Sequence, residues 1–403
     1  MGAARRDDRE ASYPRAVVNS GCSQDTSYGG IDEFRCNAVS DLGSAGPELS
    51  ICLLTGRYGP VLRAFLAGLA AQEEAPTFEL LVAVDRDRRI ADLILSTFPD
   101  AVVETINVVH PGVARNGLIE KATGNLVVFV DDDIVMGPHF LRRVVEVAAA
   151  HPEVGVFGGP NLTPPGSSTF QFVQGAVLGT IVATGPVRRR YGAHPAGPAK
   201  ETTLTLCNLI VRRSIAVPFA DDLVCAEENE AMRRLRREGV EMRFDPDLVV
   251  YHDRRSATAN FAAQIQKYGM GRGQLLMRDP RALRPFHLAP TALLVYLLSV
   301  PALVLFVSPL FLLPLAAYVL IVAAGATRIA EHTGPGRPWR SMLHRFVLAA
   351  LLIPLLHLAY GTGVPRGLST RRRVGVTTQA VERRVLQASS PGAADFTGGF
   401  TFE

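Results

Sequence analysis

The sequence predicts an α/β domain on a mostly parallel sheet, followed by transmembrane helices. Three observations carry that reading. From Leu49 to about residue 150, short apolar runs ending in a turn or an aspartate alternate with helical patterns. Such alternation marks parallel strands covered by helices. Leu288 to Thr327 is a run of forty residues without a charge, and Phe346 to Val364 adds nineteen more.

The elements follow in order. Residues 1–47 are polar, rich in Gly, Ser and Asp, and lack periodicity, so a disordered tail is expected. "MGAARRDDREASYPR" has no apolar core and is not a secretory signal. "LSICLL" reads as the first strand and leads into the turn "TGRYGP". "VLRAFLAGLAAQ" sets Leu62, Phe65, Leu66 and Leu69 at helical spacing. "FELLVAVD" is a strand ending in Asp85, "RIADLILSTF" a helix and "VVETINV" a weaker strand. After "HPGVARNGLIEKATG", the strand "NLVVFV" runs into Asp131, Asp132 and Asp133. Ligands bind beyond the carboxyl ends of parallel strands, so Thr55, Asp85 and Asp131 are expected to line one crevice.

Residues 155–280 are less regular. "TLTLCNLIVRR" is a short strand, and "CAEENEAMRRLRREG" a helix whose early acids and late arginines suit its dipole. Glu230 and Arg234 form an i,i+4 pair, and Gly239 is the expected stop. "EMRFDPDLVVYHD" is a strand ending at Tyr251-His252.

Forty helical residues span about 60 Å, enough for two bilayer crossings. Ser308-Pro309 would break them into a hairpin, with tolerable kinks at Pro301 and Pro314. The expected membrane region is 285–364, with helices at about 288–307, 310–327 and 346–364, before a flexible tail at 365–403. Arg278, Arg281 and Arg284 precede the first span; Arg328, Arg337, Arg340 and Arg345 follow the hairpin. The positive-inside rule then puts both flanks in the cytoplasm. A third crossing would place Arg371, Arg372 and Arg373 outside, against the same rule, which leaves a span and a re-entrant or interfacial segment both open.

Composition narrows the partners. Lys and Arg number 42 against 38 Asp and Glu, a net charge of +4. That excess, without an aromatic-interleaved basic stripe, argues against nucleic acid. Arginines gather beside the apolar segments, which points to membrane lipids. Five cysteines (Cys22, Cys36, Cys52, Cys207, Cys225) show no CxxC spacing. That disfavours a zinc or disulfide framework and fits a reducing compartment.

Adjacent carboxylates at the mouth of a parallel sheet suit a hard divalent cation, Mg²⁺ or Mn²⁺, which takes oxygen ligands. Taken alone, the triplet reads first as a solvated turn or helix cap ahead of "HFLRRVVEVAAA". Its context changes this. "ARNGLIEKATGNLVVFVDDD" resembles the central segment of family 2 glycosyltransferases of the GT-A fold, where an Ala-Arg-Asn run, a helix and a Thr-Gly turn lead into a strand ending in DxD. "SICLLTGRYGPVLRAFLAGLAAQ", "FELLVAVDRD", "TLCNLIVRRSIA" and "FADDLVCAEENEAMRRLRREG" are similar to further motifs of that family in the same order, over about 49–280.

The resemblance implies a GT-A catalytic domain at 48–284 and a role for each matching residue. Asp131 and Asp133 match the DxD carboxylates that hold a divalent metal bridging a nucleotide-sugar diphosphate, with Asp132 facing ribose or sugar. Thr55, Arg57 and Asp85 match the positions that cradle base and ribose, and Arg115 matches the Arg of the Ala-Arg-Asn run. Glu228 falls on the acid expected to be the general base, with Glu227 as the alternative. His252 matches a third metal ligand or a diphosphate contact. Three departures stand out: "TGRYG" replaces a proline-threonine-aromatic-asparagine turn, Val84 replaces a frequent aspartate, and Glu228 replaces the usual Asp.

"QIQKYGMGRGQ" lacks the Gln-x-x-Arg-Trp of processive members, so a single-transfer enzyme is expected. Its Gln266, Tyr268 and Arg272 suit a helix on the membrane beside the acceptor. The implied activity is that of an inverting, metal-dependent hexosyltransferase of cell-envelope or polysaccharide synthesis. Its nucleotide-sugar donor would be used on a lipid-linked or glycan acceptor. The protein would sit in a bacterial-type inner membrane, multi-pass, with the catalytic domain facing the cytoplasm. The alternatives are a polyprenyl-phosphate glycosyltransferase, whose acceptor is the lipid phosphate itself, and a catalytically silent GT-A-fold assembly subunit.

Overall fold

A computed structural model describes residues 46–106, 111–223, 225–282, 284–331, 339–370 and 384–385. The expected N-terminal tail up to residue 45, Arg337 and Arg371 to Arg373 lie outside the described residues.

The first half alternates strand and helix: β1 Leu49–Thr55, α1 Pro60–Ala70, β2 Phe78–Asp85, α2 Arg88–Thr97, β3 Val102–Ile106, α3 Pro111–Lys121 and β4 Leu126–Asp131. A short β5, Ile134–Met136, and α4, Phe140–Ala150, lead to β6 Val154–Gly158 and β7 Asn161–Leu162. Next come α5 Thr169–Leu178, α6 Ile181–Thr184, β8 Gly197–Pro198, β9 Asn208–Arg212, α7 Glu227–Arg237, β10 Glu241–Phe244, β11 Val250–His252 and α8 Thr258–Arg278. The apolar end holds α9 Pro285–Phe306, α10 Leu313–Glu331 and α11 Trp339–Ser369.

The main sheet has the order β3-β2-β1-β4-β9-β6-β10-β8, with Arg384–Val385 paired antiparallel at the β3 edge. β3, β2, β1 and β4 are parallel, and β9 runs antiparallel between β4 and β6. A second sheet orders β5-β11-β7. The two-residue period of the strands sorts the core. Ile51 and Leu53 pack to one side with Phe65, Leu66 and Ile90. Cys52, Val127 and Phe129 pack to the other with Leu118, Met232 and Leu235. This sheet, covered by helices on both faces, is a GT-A fold. The apolar stripe of α1 is buried, and α7 carries the Glu230–Arg234 ion pair at 3.1 Å. Gly239 follows α7 at φ 87°, a left-handed conformation that ends helices and favours glycine. Gly124 must lack a side chain, because a Cβ there would lie 2.6 Å from the Leu49 carbonyl carbon.

Pro285–Phe306, Pro309–Glu331 and Arg340–Ser369 are each long and apolar enough to cross a membrane. Together these three apolar helices fit a membrane anchor. A 3₁₀ turn at Pro309–Leu312 separates the first two. α11 extends past residue 364, where the flexible tail was expected to begin, and the reason lies in its packing. Gly269 and Gly273 of α8 face Gly363 and Gly367 of α11. A Cβ on Gly269 would come 2.3 Å from the Tyr360 carbonyl oxygen, and one on Gly367 2.1 Å from that of Met270. Paired small-xxx-small faces let two backbones approach in this way. The helix expected to lie on the membrane beside the acceptor, α8, thus packs its glycine face against α11.

A second feature was not foreseen. Thr169–Leu178 and Ile181–Tyr191 form an apolar pair bent by 62°, as in a broken span or a re-entrant loop. Val173, Val177 and Leu178 from this segment share a core with Ile353 and Leu356 of α11.

Candidate active site

Parallel register sets the carboxyl ends of β2, β1 and β4 side by side, with Thr55 opposite Val84 and Leu54 opposite Asp131. The aspartates diverge from there. Asp132 points to Thr55 and Arg57: its Oδ2 accepts from Thr55 Oγ1 at 2.7 Å and its Oδ1 from Arg57 at 2.7 Å. Asp133 Oδ1 stands 3.1 Å from His252 Nε2, and its Oδ2 accepts from Arg57 at 3.1 Å. Burial alone would raise the Asp133 pKa, but the hydrogen bond from His252 and the charges of Arg57 and Arg255 outweigh it and hold the carboxyl below the usual range. Asp131 moves the other way, to about 6: burial raises it, Asp133 and Asp132 add repulsion, and Arg115 offsets part of the rise.

Two chains of contact meet here. Arg115, buried on α3, donates to Glu227 Oε1 at 2.7 Å and reaches Asp131 Oδ1 at 3.5 Å. Burial pushes Glu227 above the usual carboxylate range despite Arg115. Glu228 is buried beside it and accepts from Asn229 Nδ2. On the other side, Arg254 donates toward His252 Nδ1 at 3.3 Å. Arginine can only donate, so that ring nitrogen accepts, and the neutral imidazole carries its proton on Nε2, toward Asp133.

Asp131, Asp133, Arg115, Glu227, Glu228 and His252 line one cavity of about 640 Å³, to which Tyr268 and Arg272 also contribute. Thr55, Arg57, Asp85 and Asp132 stand outside its lining. The expected shared crevice is thus divided. Thr55 is 2% exposed with its hydroxyl given to Asp132, and Asp85 is half-buried at the end of β2. Gln266 also leaves the site: it donates to Thr362 and accepts from Arg366, both on α11.

Sequence reasoning missed Cys207. Its sulfur, an Asp131 oxygen and a His252 nitrogen lie within 4.8 Å of one another, a group that could hold a metal ion. The Val130–Asn208 pair of β4 and β9 puts Cys207 next in register, beside Asp131. Burial raises the thiol to about 12, so it is neutral in the cation-free site. The donor chemistry fits a divalent cation: Asp131 is a carboxylate short of positive charge, and Asp133 and an imidazole lie next to it.

Residues 47–270 match the family described as glycosyltransferase like family 2. Among solved structures, the chain is similar to the mannosyltransferase PcManGT from Pyrobaculum calidifontis in complex with GDP-Man and Mn²⁺. The two share 19% identity over 76% of this chain and 86% of that one, with a TM-score of 0.48. It is also similar to S. aureus TarS 1-349 in complex with UDP-GlcNAc, at 16% identity over 79% of this chain and 91% of that one, with a TM-score of 0.41. No curated protein sequence matches it significantly.

Proposed function

The chain belongs to glycosyltransferase family 2 and is a nucleotide-sugar glycosyltransferase of the GT-A fold; from that premise we propose that it works by inversion, needs a divalent cation and serves a membrane-held acceptor. One observation carries the proposal. The cavity that collects Asp131, Asp133 and Glu228 continues between apolar residues of α9, α10 and α11, among them Leu293, Ile321 and Leu356.

Asp131 and Asp133 would hold the cation, Mg²⁺ or Mn²⁺, and the bound ion would offset the charge that develops on the departing nucleoside diphosphate. His252 takes part as a ligand only with its proton moved to Nδ1 and the Arg254 contact given up; as it stands it steadies Asp133. Arg115 ties Asp131 to Glu227 and keeps both carboxylates in place. Glu228 accepts the proton of an acceptor hydroxyl as that oxygen attacks the anomeric carbon and the diphosphate leaves from the opposite face. Inversion needs only this one base, without a second carboxylate as nucleophile. Thr55 and Arg57 fix Asp132, and Asp132 and Asp85 would meet the nucleoside. The apolar helices support a multi-pass membrane protein, and the arginines beside them support a catalytic domain on the cytoplasmic side of a bacterial-type inner membrane.

A thermal-shift screen of UDP, GDP and dTDP, each with and without Mn²⁺, tests the reading, because a ligand of the native state raises its stability by mass action. One nucleotide should raise Tm only with the cation. A screen in which none does so would overturn the proposal.

A further inference from the structure

Packing alone does not account for Cys207. It directly precedes β9, is 3% exposed and lines the active-site cavity. A core position asks nothing of a thiol but volume. This sulfur instead receives polar contacts. Asn161 Nδ2 donates to Sγ at 3.4 Å, and the Thr205 hydroxyl stands 3.9 Å away. Asp131 and His252 bring a carboxylate oxygen and a ring nitrogen within 4.8 Å of the sulfur and of each other. Three donors at that limit share a central point about 2.8 Å from each. Shifts of about 0.5–0.8 Å then reach the bond lengths of about 2.0–2.3 Å that zinc makes to S, N and O.

The residues behind these donors tie two of them together. Asn161 of β7 is buried, and while its amide N–H goes to the sulfur its Oδ1 accepts from Arg254 at 3.2 Å. Arg254 also donates to the Asn161 backbone oxygen at 2.5 Å and to Thr163 Oγ1 at 3.3 Å, besides its contact with His252 Nδ1. It therefore keeps three acceptors when His252 moves its proton to Nδ1 and turns a bare Nε2 toward a cation. The N–H at the sulfur steadies the charge that a metal-bound thiolate carries. Such outer contacts orient the ligands of a metal site and tune its affinity.

We propose that Asp131, Cys207 and His252 form a site for a thiophilic divalent cation of the zinc class. The inference rests on the cation-dependent reading above and deepens it. A hard ion such as Mn²⁺ is held by Asp131 and Asp133, whereas a softer one takes Cys207 and His252 together with Asp131. Thiolate and imidazole select zinc-like ions, and carboxylates suit Mg²⁺ and Mn²⁺. Asp131 belongs to both sets, so the two ions exclude each other. The thiol gives up its proton to solvent as the ion binds, and no electron is transferred.

The test uses the full chain in nanodiscs, with Co²⁺, Zn²⁺ and Mn²⁺ as probes. Co²⁺ reports a sulfur ligand directly, through a thiolate-to-metal charge-transfer band in the near ultraviolet. The wild type should show that band, and Cys22→Ser, Cys36→Ser, Cys52→Ser and Cys225→Ser should each keep it. Cys207→Ser should abolish it and lower Zn²⁺ affinity by at least about tenfold. Mn²⁺ affinity, read from the paramagnetic resonance of the free ion, should change by less than about threefold in that variant, and Zn²⁺ should displace Mn²⁺ from the wild type. Should Cys207→Ser fail to fold, the wild-type band and its survival in the other four variants still assign the sulfur. Co²⁺ bound without the band, a band that survives Cys207→Ser, or Zn²⁺ and Mn²⁺ bound together would overturn the site. Failure of every cation to bind, Mn²⁺ included, would overturn the cation-dependent reading itself, so the two failures are distinguishable.

Discussion

Arg115 Nη1 stands 2.7 Å from Glu227 Oε1 in a pair that is almost fully buried. This contact separates the two adjacent acids at the start of α7. Both line the cavity, but Glu227 is committed to an arginine that also reaches Asp131, whereas Glu228 bonds to a neutral amide. The guanidinium occupies Glu227 Oε1, and Glu228 makes no such bond among the described residues, so the geometry favours Glu228 as the base.

Substitution should separate the two. Glu228→Gln is expected to lower single-turnover sugar transfer by about 10²–10⁴-fold while nucleotide binding persists. Glu227→Ala leaves the Arg115 charge buried without its nearest partner and should cost about 3 kcal/mol of stability, read by denaturant unfolding. The reverse pattern would exchange the roles.

Acidity should act through Asp131. Its folded-state pKa of about 6 lies above the unfolded value of about 4, so the cation-free folded protein binds the extra proton between them. Stability from this group is fully present below about pH 4 and is lost as pH rises through about 6. In EDTA, the Tm difference between wild type and Asp131→Asn should therefore shift against the wild type as pH rises through that window. Mn²⁺ affinity should change in the opposite sense and fall as pH drops below about 6, because a ligand must be deprotonated. Titration calorimetry over pH 5–8 checks the second trend.

The α8–α11 contact should be intolerant of even one methyl group. Gly269→Ala puts a Cβ against the Tyr360 carbonyl and should cost about 1–3 kcal/mol through forced separation of the helices. Donor hydrolysis in detergent should survive better than transfer to a lipid acceptor, since α8 carries Tyr268 and Arg272 into the cavity. Equal losses in both assays would argue against a positional role for this contact.

Much of this architecture was legible because its signals are local. The stripe of Leu62, Phe65, Leu66 and Leu69, the strands ending in Asp85 and Asp131, and the Gly239 stop each follow from period or backbone freedom over a few residues. What escaped was tertiary. Arg190 is the third of three consecutive arginines, and only its buried partners Glu201, Thr202 and Asn229, further along the chain, distinguish it. Cys207 looked unremarkable because its neighbours come from β4 and β11. The GxxxG pairs at Gly269–Gly273 and Gly363–Gly367 are readable in the sequence, but which helix each one meets is not. The side chains of Thr55 and Asp132 could not be oriented from strand ends, since a triplet of aspartates does not say which member turns inward.

The most direct test of the account is transfer of a radiolabelled sugar, from the nucleotide donor that stabilises the protein, to solvent-extractable lipid in nanodiscs containing the full chain. The account predicts transfer with Mn²⁺, its abolition by EDTA, and its loss in Asp133→Asn and Glu228→Gln when both variants are folded and Glu228→Gln still binds nucleotide. Undiminished transfer in either variant, or in EDTA, would contradict it.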